Sequence, residues 1–166
     1  MDINVRPIQE SDVLEYHTLL DAICRERRFL GALEAPPLES TRRFVSTNIL
    51  LDHPQFIVRL EGLLVGWCDA IPGATASGHA HIGTLGMGIA KAYRRHGLGA
   101  LLLRTVLDKA RTKDLEKVEL SVYSTNTGAI ALYERFGFVE EGRRIRGRCV
   151  DGIYDDIVMM GLFLRE

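Results

Sequence analysis

Three strand-like stretches follow one another before the chain reaches its longest apolar helix, and that order limits the fold more than any single residue does. "QFIVRLEGLLVGWCDAI" divides at Glu61-Gly62 into the two strands of a hairpin, and "HAHIGTLGMGI" reads as a further strand after the turn-rich "PGATASG". "GLGALLLRTVLDKARTK" then carries leucines on one helical face and ends in basic residues that suit the negative end of its dipole. A doubly wound sheet alternates strand and helix from its start. This chain instead predicts an antiparallel first half, with a parallel pair only across the long helix.

The rest of the pattern fits around that centre. "INVRPI" alternates like a short strand, and "SDVLEYHTLLDAIC" opens with Ser11 or Asp12 as a cap. Val13, Leu14, His17, Leu20 and Cys24 then recur at helical spacing. "LGALEAPPLES" is a loop marked by Pro36-Pro37, and "ESTRRFVSTNILLDH" a second helix. "KVELSVY" is a strand, "NTGAIALYERFG" a helix stopped by Gly137, and the last two strands meet at Asp151-Gly152. The order β-α-α-β-β-β-α-β-α-β-β predicts an α/β fold of the mixed α+β kind, one domain over residues 1–166. Its sheet is mixed and mostly antiparallel, with about seven strands and about four helices.

Charge and composition exclude whole classes of partner. A formal net charge of -1 offers nucleic acid no general attraction, so any anion site must be local. No apolar run reaches the ~18 residues that a membrane span needs. The start "MDINVRPIQESD" has acids where a signal peptide carries a basic stretch, which predicts a cytoplasmic protein. Cys24, Cys68 and Cys149 are odd in number and scattered, so neither a disulfide framework nor a zinc site is indicated.

"AYRRHGLGALLLRTVL", Ala92 to Leu107, sets arginines and glycines at the front of the long helix. A triphosphate loop would need lysine and a hydroxyl after its last glycine, but Ala100 and Leu101 follow Gly99. A dinucleotide fingerprint would need a third glycine where Leu102 stands. What those motifs share remains: a tight turn at a helix N-terminus, free N–H groups and nearby arginines suit a phosphate or pyrophosphate. A solvated basic turn would look the same in isolation. Upstream, Gly83, Gly86 and Gly88 interrupt a strand, as a bulge or a close backbone approach would.

Arg94-x-x-Gly97-x-Gly99 after a strand resembles the pyrophosphate signature of the GNAT superfamily, the acetyl-CoA-dependent N-acetyltransferases. "NTGAIALYERFGF" is similar to the family's following motif, an asparagine at the helix start and a tyrosine before F-G-F. The resemblance is strongest from Gly83 to Phe138. It implies a sheet splayed between its fourth and fifth strands, with acetyl-CoA as cosubstrate and no metal. The pyrophosphate would lie on Arg94, Arg95, His96, Gly97, Leu98, Gly99 and Ala100, and the pantetheine arm along Met87, Gly88 and Ile89. A backbone N–H near Ile89 would polarise the thioester oxygen. Tyr133 matches the acid that protonates the sulfur, and Asn126 either caps its helix or bonds the pantetheine.

The general base departs from the family pattern, because neither Ser121 nor Gly83 is the glutamate found at the matching positions in relatives. Glu119 points the same way as Ser121, one pleat repeat (~6.6 Å) away, and could act through a water. His81 shares the face of Gly83 and competes for the role; His79-x-His81 as a metal pair has no further ligand to support it. A base matters most for alkylamines, of which about 1 in 2500 are neutral at pH 7, against roughly 1 in 7 for an α-amine.

The ending "FVEEGRRIRGRCVDGIYDDIVMM" resembles members acting on small amines, amino acids, polyamines or protein N-termini, with the small molecules preferred. The acceptor pocket is expected from residues 27–39 and the final hairpin. Arg28, Arg42 and Arg43 there suit a carboxylate, while Glu34, Glu39, Asp155 and Asp156 suit a cationic amine. Arg144, Arg146 and Arg148 are expected to alternate onto one face of an edge strand. The resemblance leaves a homodimer open, and a non-catalytic acyl-CoA-binding module is the rival from another class.

Overall fold

The computed structural model describes residues 1–165. Seven strands form one sheet in the order β1-β2-β3-β4-β5-β7-β6. They are β1 (Ile3–Pro7), β2 (Gln55–Leu60), β3 (Leu63–Pro72), β4 (Ile82–Ile89), β5 (Lys117–Tyr123), β6 (Val139–Val150) and β7 (Ile153–Phe163). Four helices join them: α1 (Val13–Arg25), α2 (Leu38–Leu50), α3 (Leu98–Thr112) and α4 (Thr127–Arg135). Neighbours pair antiparallel except β4 and β5, which run parallel across α3. This is the mixed sheet that the strand order predicts. Among the described residues no helix is long and apolar enough to cross a membrane.

The two hairpin turns lie where the sequence places them. Glu61 and Gly62 have φ of 49° and 82°, Asp151 and Gly152 of 53° and 76°. Paired positive φ at a two-residue connection matches the right-handed strand twist, which is why Glu-Gly and Asp-Gly stand there.

Each face of the sheet buries its own helices. Leu102, Leu103, Val106 and Ala110 of α3 pack with Cys68, Ala70, Val118, Leu120 and Val122 on one side. Tyr16, Leu19 and Ile23 of α1 and Val45 of α2 pack with Ile57, Leu64 and Trp67 on the other. Tyr16 meets Trp67 edge-on, with ring centroids 5.4 Å apart. The buried stripe of α1 is Val13, Tyr16, Leu19, Ile23 and Cys24, whereas the expected Leu14 is 63% exposed. Tyr16 and Leu19 displace Leu14 because the aromatic contact with Trp67 fixes the rotation of the helix. Two expected boundaries also move. β4 begins at Ile82, after a turn that holds His79 and His81, and α2 ends at Leu50.

Neither Ser11 nor Asp12 caps α1 by bonding into its first turn. Asp12 instead accepts the Gln9 N–H at 2.8 Å and joins both arginines of the neighbouring strands, Arg6 of β1 (2.7 and 2.8 Å) and Arg59 of β2 (2.8 Å). Burial alone would raise this carboxyl, but the bonds from Arg6, Arg59 and Gln9 outweigh it and hold the pKa at about 2. A carboxyl depressed in the folded state stabilises it above the ordinary aspartate range, and that contribution is lost as pH falls through about 2. Asp12→Asn should therefore lower stability at pH 7 by roughly 2–3 kcal/mol, with the gap to wild type closing between pH 4 and pH 2 in urea unfolding.

Candidate active site at the sheet splay

Parallel pairing between β4 and β5 covers only Ile82–Lys117, Gly83–Val118 and Thr84–Glu119, although the strands continue to Ile89 and Tyr123. Beyond Thr84 the two diverge, so the splay expected between the fourth and fifth strands is present. On the β3 side the ladder stays in register as far as Gly66–Ile89, and the Ala90 N–H donates to Val65 O at 2.8 Å. Alternation along the strand then turns the N–H groups of Met87 and Ile89 toward the open side. They are unclaimed donors on the edge of a wedge.

The glycines of β4 have a cause inside the protein. A Cβ on Gly83 would stand 2.9 Å from Leu115 Cδ1, one on Gly88 would strike the Trp67 ring, and one on Gly86 would lie 3.1 Å from Asp69 Oδ1. Each makes room for a side chain from a neighbouring element, so no approaching ligand is needed to account for them.

At the head of the wedge, Arg95 (φ 66°) and Gly97 (φ 81°) turn the backbone tightly into α3. The N–H groups of Leu98, Gly99 and Ala100 occupy the first turn, where no carbonyl lies four residues back. Gly99 sits close to β4 and α4, with its Cβ position 3.3 Å from Leu132 and 3.8 Å from Met87. Arg95 and His96 are exposed beside this turn, and the Arg95 guanidinium reaches α4 at Gly128. These features fit a pyrophosphate on a helix N-terminus.

Arg94 does something else. Its Nε donates to Ile89 O at 2.8 Å, and its Nη atoms grip both oxygens of Glu26, just past α1. Its guanidinium also lies 4.8 Å from the Phe29 ring centroid. The charge that the sequence assigned to a phosphate is thus spent fastening the loop after α1 to the end of β4.

Asn126 caps α4 through Oδ1, which accepts the Ala129 N–H at 3.3 Å. Tyr133 is 7% exposed and tilts against Phe138 with 5.7 Å between centroids. Burial, and next to it the nearby Cys68, raises its pKa well above the usual phenol value, so it stays protonated throughout the neutral range.

On the opposite face of the sheet a cavity of about 340 Å³ is lined by Thr84 of β4, Glu119 and Ser121 of β5, Glu141 and Arg144 of β6, and Met159 of β7. Glu119 is held by Lys117 Nζ at 2.9 Å, and the same ammonium meets Glu141 at 2.9 Å. His81 lies exposed in the turn before β4, five residues short of Gly86, and so stands outside the splay. His79 shares that turn, and among the described residues no three His, Cys, Asp or Glu side chains gather as metal ligands.

The expected alternation of Arg144, Arg146 and Arg148 is broken by a bulge, where Arg146 has φ 49° and the register shifts. Arg144 faces the cavity, Arg146 covers Tyr154, and Arg148 stacks 4.2 Å from the Tyr123 centroid while pairing with buried Asp155. Arg42 pairs with Glu39, Glu34 with Arg25, and Asp156 with Arg143. Arg27 bonds Asp151 at 2.9 and 3.0 Å, joining the loop after α1 to the tip of the β6–β7 hairpin.

Asp69 is the residue that the sequence reading passed over. It sits in β3 opposite Gly86 and is 6% exposed. Burial pushes its pKa up to about 7, against the Gly86 N–H and the Gln55 amide, which favour the ionised form. The signal was one carboxylate inside the otherwise apolar run "VGWCDAI".

Comparisons with known proteins agree with this geometry. Over 99% of its length the chain is 28% identical to YokL, an SPbeta prophage-derived N-acetyltransferase of Bacillus subtilis (strain 168), covering 92% of that protein. Over 68 residues it is 40% identical to the [ribosomal protein bS18]-alanine N-acetyltransferase of Escherichia coli (strain K12), which is 40% of this chain and 46% of the other. The structure of yncA from Salmonella typhimurium with its cofactor acetyl-CoA superposes with a TM-score of 0.93 at 17% identity, covering 100% of this chain and 96% of that one. The acetyltransferase (GNAT) family model matches residues 18–138, and with the splayed seven-stranded sheet this establishes that the chain belongs to the GNAT family of acetyltransferases.

Proposed function

We propose that the protein transfers the acetyl group of acetyl-CoA directly to a primary amine in a ternary complex, with small amines, amino acids or polyamines preferred. The observation that carries this reading is the wedge open on both faces of the sheet. The α3 N-terminus lies at one face of it, and a cavity lined by Thr84, Glu119 and Ser121 at the other. Leu98, Gly99 and Ala100 supply N–H donors for a pyrophosphate, helped by exposed Arg95 and His96. Met87 and Ile89 offer the free edge of β4 to an extended pantetheine arm, and one of their N–H groups stabilises negative charge on the thioester oxygen. Tyr133, protonated at neutral pH, gives its proton to the departing sulfur. No step needs a nucleophile of the protein: Cys24 and Cys68 are buried, and Cys149 lies on β6.

The size of the cavity supports a small acceptor. About 340 Å³ suits a small molecule, and Glu119 and Glu141 offer carboxylates on its wall, balanced there by Lys117 and Arg144. The Arg27–Asp151 bridge narrows the approach between the loop after α1 and the last hairpin. Glu119 serves here as an attractor of the ammonium; to take a proton through water it would first have to leave Lys117.

The expected behaviour is CoA binding in calorimetry that Gly99→Glu abolishes, because a charged side chain would meet Leu132 and repel the pyrophosphate. Thiol release should be measured on spermidine, a free amino acid and an N-terminal peptide. Tyr133→Phe should lower kcat by about 10- to 1000-fold with little change in CoA affinity. Glu119→Gln should raise KM several-fold for spermidine and hardly at all for a neutral acceptor. CoA binding without turnover of any amine would identify a binding module, and turnover of the peptide alone would remove the small-molecule preference.

A further inference from the structure

We propose that Asp69 is the group that takes the proton from the acceptor amine, an assignment that rests on the acetyl-transfer reading above. Four observations place it. Asp69 pairs with Gly86 across the β3–β4 ladder, and Gly86 lies two residues beyond the last β4–β5 pair, inside the splay. The missing Cβ of Gly86 leaves a gap, and the Asp69 carboxyl leans into it with Oδ1 3.1 Å from where that Cβ would be. Thr84, a wall of the cavity beside Glu119 and Ser121, is on the same face of β4 as Gly86, one pleat repeat (~6.6 Å) away. Asp69 is not itself part of the cavity wall; through Gly86 it lies buried that one repeat further along the splay than Thr84. Met87, whose N–H faces the open edge, is the next residue along, so proton acceptor and oxyanion donor flank one point of the wedge.

The surroundings suit a base that works near neutral pH. Tyr16 of α1 faces the carboxyl, and burial raises its pKa, so it stays neutral there. Gln55 of β2 presents its amide, whose Oε1 is fixed by Asn48 of α2 while Nε2 closes no well-formed bond. Cys68, the preceding residue of β3, turns to the other face of the sheet. Across the splay Ser121 is uncharged, and Glu119 beyond it is held by Lys117. Among the described residues no cation pairs with Asp69. Burial therefore brings its titration to about 7, where a carboxylate is basic enough to deprotonate an ammonium and still half ionised.

The step balances with Tyr133. The amine nitrogen gives one proton to the Asp69 carboxylate, directly or through a water, and its lone pair forms the bond to the acetyl carbon. The carbon–sulfur bond breaks, its electron pair stays on sulfur, and Tyr133 protonates that sulfur. The second proton of the nitrogen leaves to solvent, which also restores Tyr133 and accepts the proton from Asp69.

The test is the pH dependence of kcat/KM between pH 5.5 and 9.5 for wild type, Asp69→Asn and Gln55→Leu, with spermidine and acetyl-CoA. Wild type should rise through about pH 7 and level off, because Asp69 must be ionised to accept the proton. Asp69→Asn should fall about 100-fold or more at pH 7, keep its CoA affinity, and climb about tenfold per pH unit as it follows the free amine. Gln55→Leu should move the wild-type rise upward by roughly 0.5–1 pH unit, since it removes a donor that favours the carboxylate. Thermal unfolding checks folding and titration together. A carboxyl raised in the folded state makes wild type lose stability as pH climbs through about 7, so Asp69→Asn should gain in Tm on wild type at pH 8 relative to pH 5. Wild-type turnover with an Asn profile parallel to wild type, or a Tm difference that ignores pH, overturns Asp69 alone. Absence of turnover by wild type on spermidine, a free amino acid and a peptide overturns the transfer reading and this role with it.

Discussion

Parallel pairing between β4 and β5 lasts for three residue pairs and then stops, and most of what this chain can do depends on that stop. A complete ladder would close the N–H groups of Met87 and Ile89 against β5 and leave the α3 N-terminus facing a continuous sheet. Each strand instead keeps its other partner. β4 stays on β3 as far as Ile89, and β5 stays on β7 up to the Tyr123–Ile157 pair. The backbone edge at the wedge is therefore held rigidly on its far side while it is free on the near side. That is the requirement for a pre-organised hydrogen-bonding edge, because its donors need not reorganise as charge develops.

Ion pairs maintain the opening from outside. Arg94 grips Glu26 and the Ile89 carbonyl, which binds the end of α1 to the last residue of β4. Asp12 draws Arg6 and Arg59 together at the other end of the same helix, so α1 is anchored at both termini. Surface pairs of this kind usually contribute little, but these carboxylates are buried or partly buried and accept several bonds each. α1 carries Tyr16 over Asp69, so its fixed position also sets the polarity around that carboxyl.

Two titratable groups on opposite faces of the sheet are kept in their protonated or near-neutral range by burial. Tyr133 remains a proton donor, and Asp69 is shifted to where it can both hold and release a proton. The same desolvation acts on both. In the proposed reaction it weakens the acid and strengthens the base.

Much of this was legible in the sequence. Periodicity gave the element order, the Glu61-Gly62 and Asp151-Gly152 turns, and the helix N-terminus at Gly97 to Ala100, because each depends on residues adjacent along the chain. Tyr133 and Asn126 could be picked out by their spacing before Phe136-Gly137-Phe138. What the sequence could not assign are the partners of charges. Arg94 looked like a phosphate ligand until Glu26, 68 residues away, was seen to claim it. Glu119 looked like a free base until Lys117 and Glu141 closed around it. Arg144, Arg146 and Arg148 shared a face only until a bulge separated them. The rotation of α1 and the burial of Asp69 likewise follow from contacts between elements, Tyr16 on Trp67 and the gap at Gly86. Local propensity and turn chemistry act within a few residues and can be read from the chain. Desolvation and charge pairing depend on which segments meet in space, so only the tertiary structure decided which of the candidate groups are left to react.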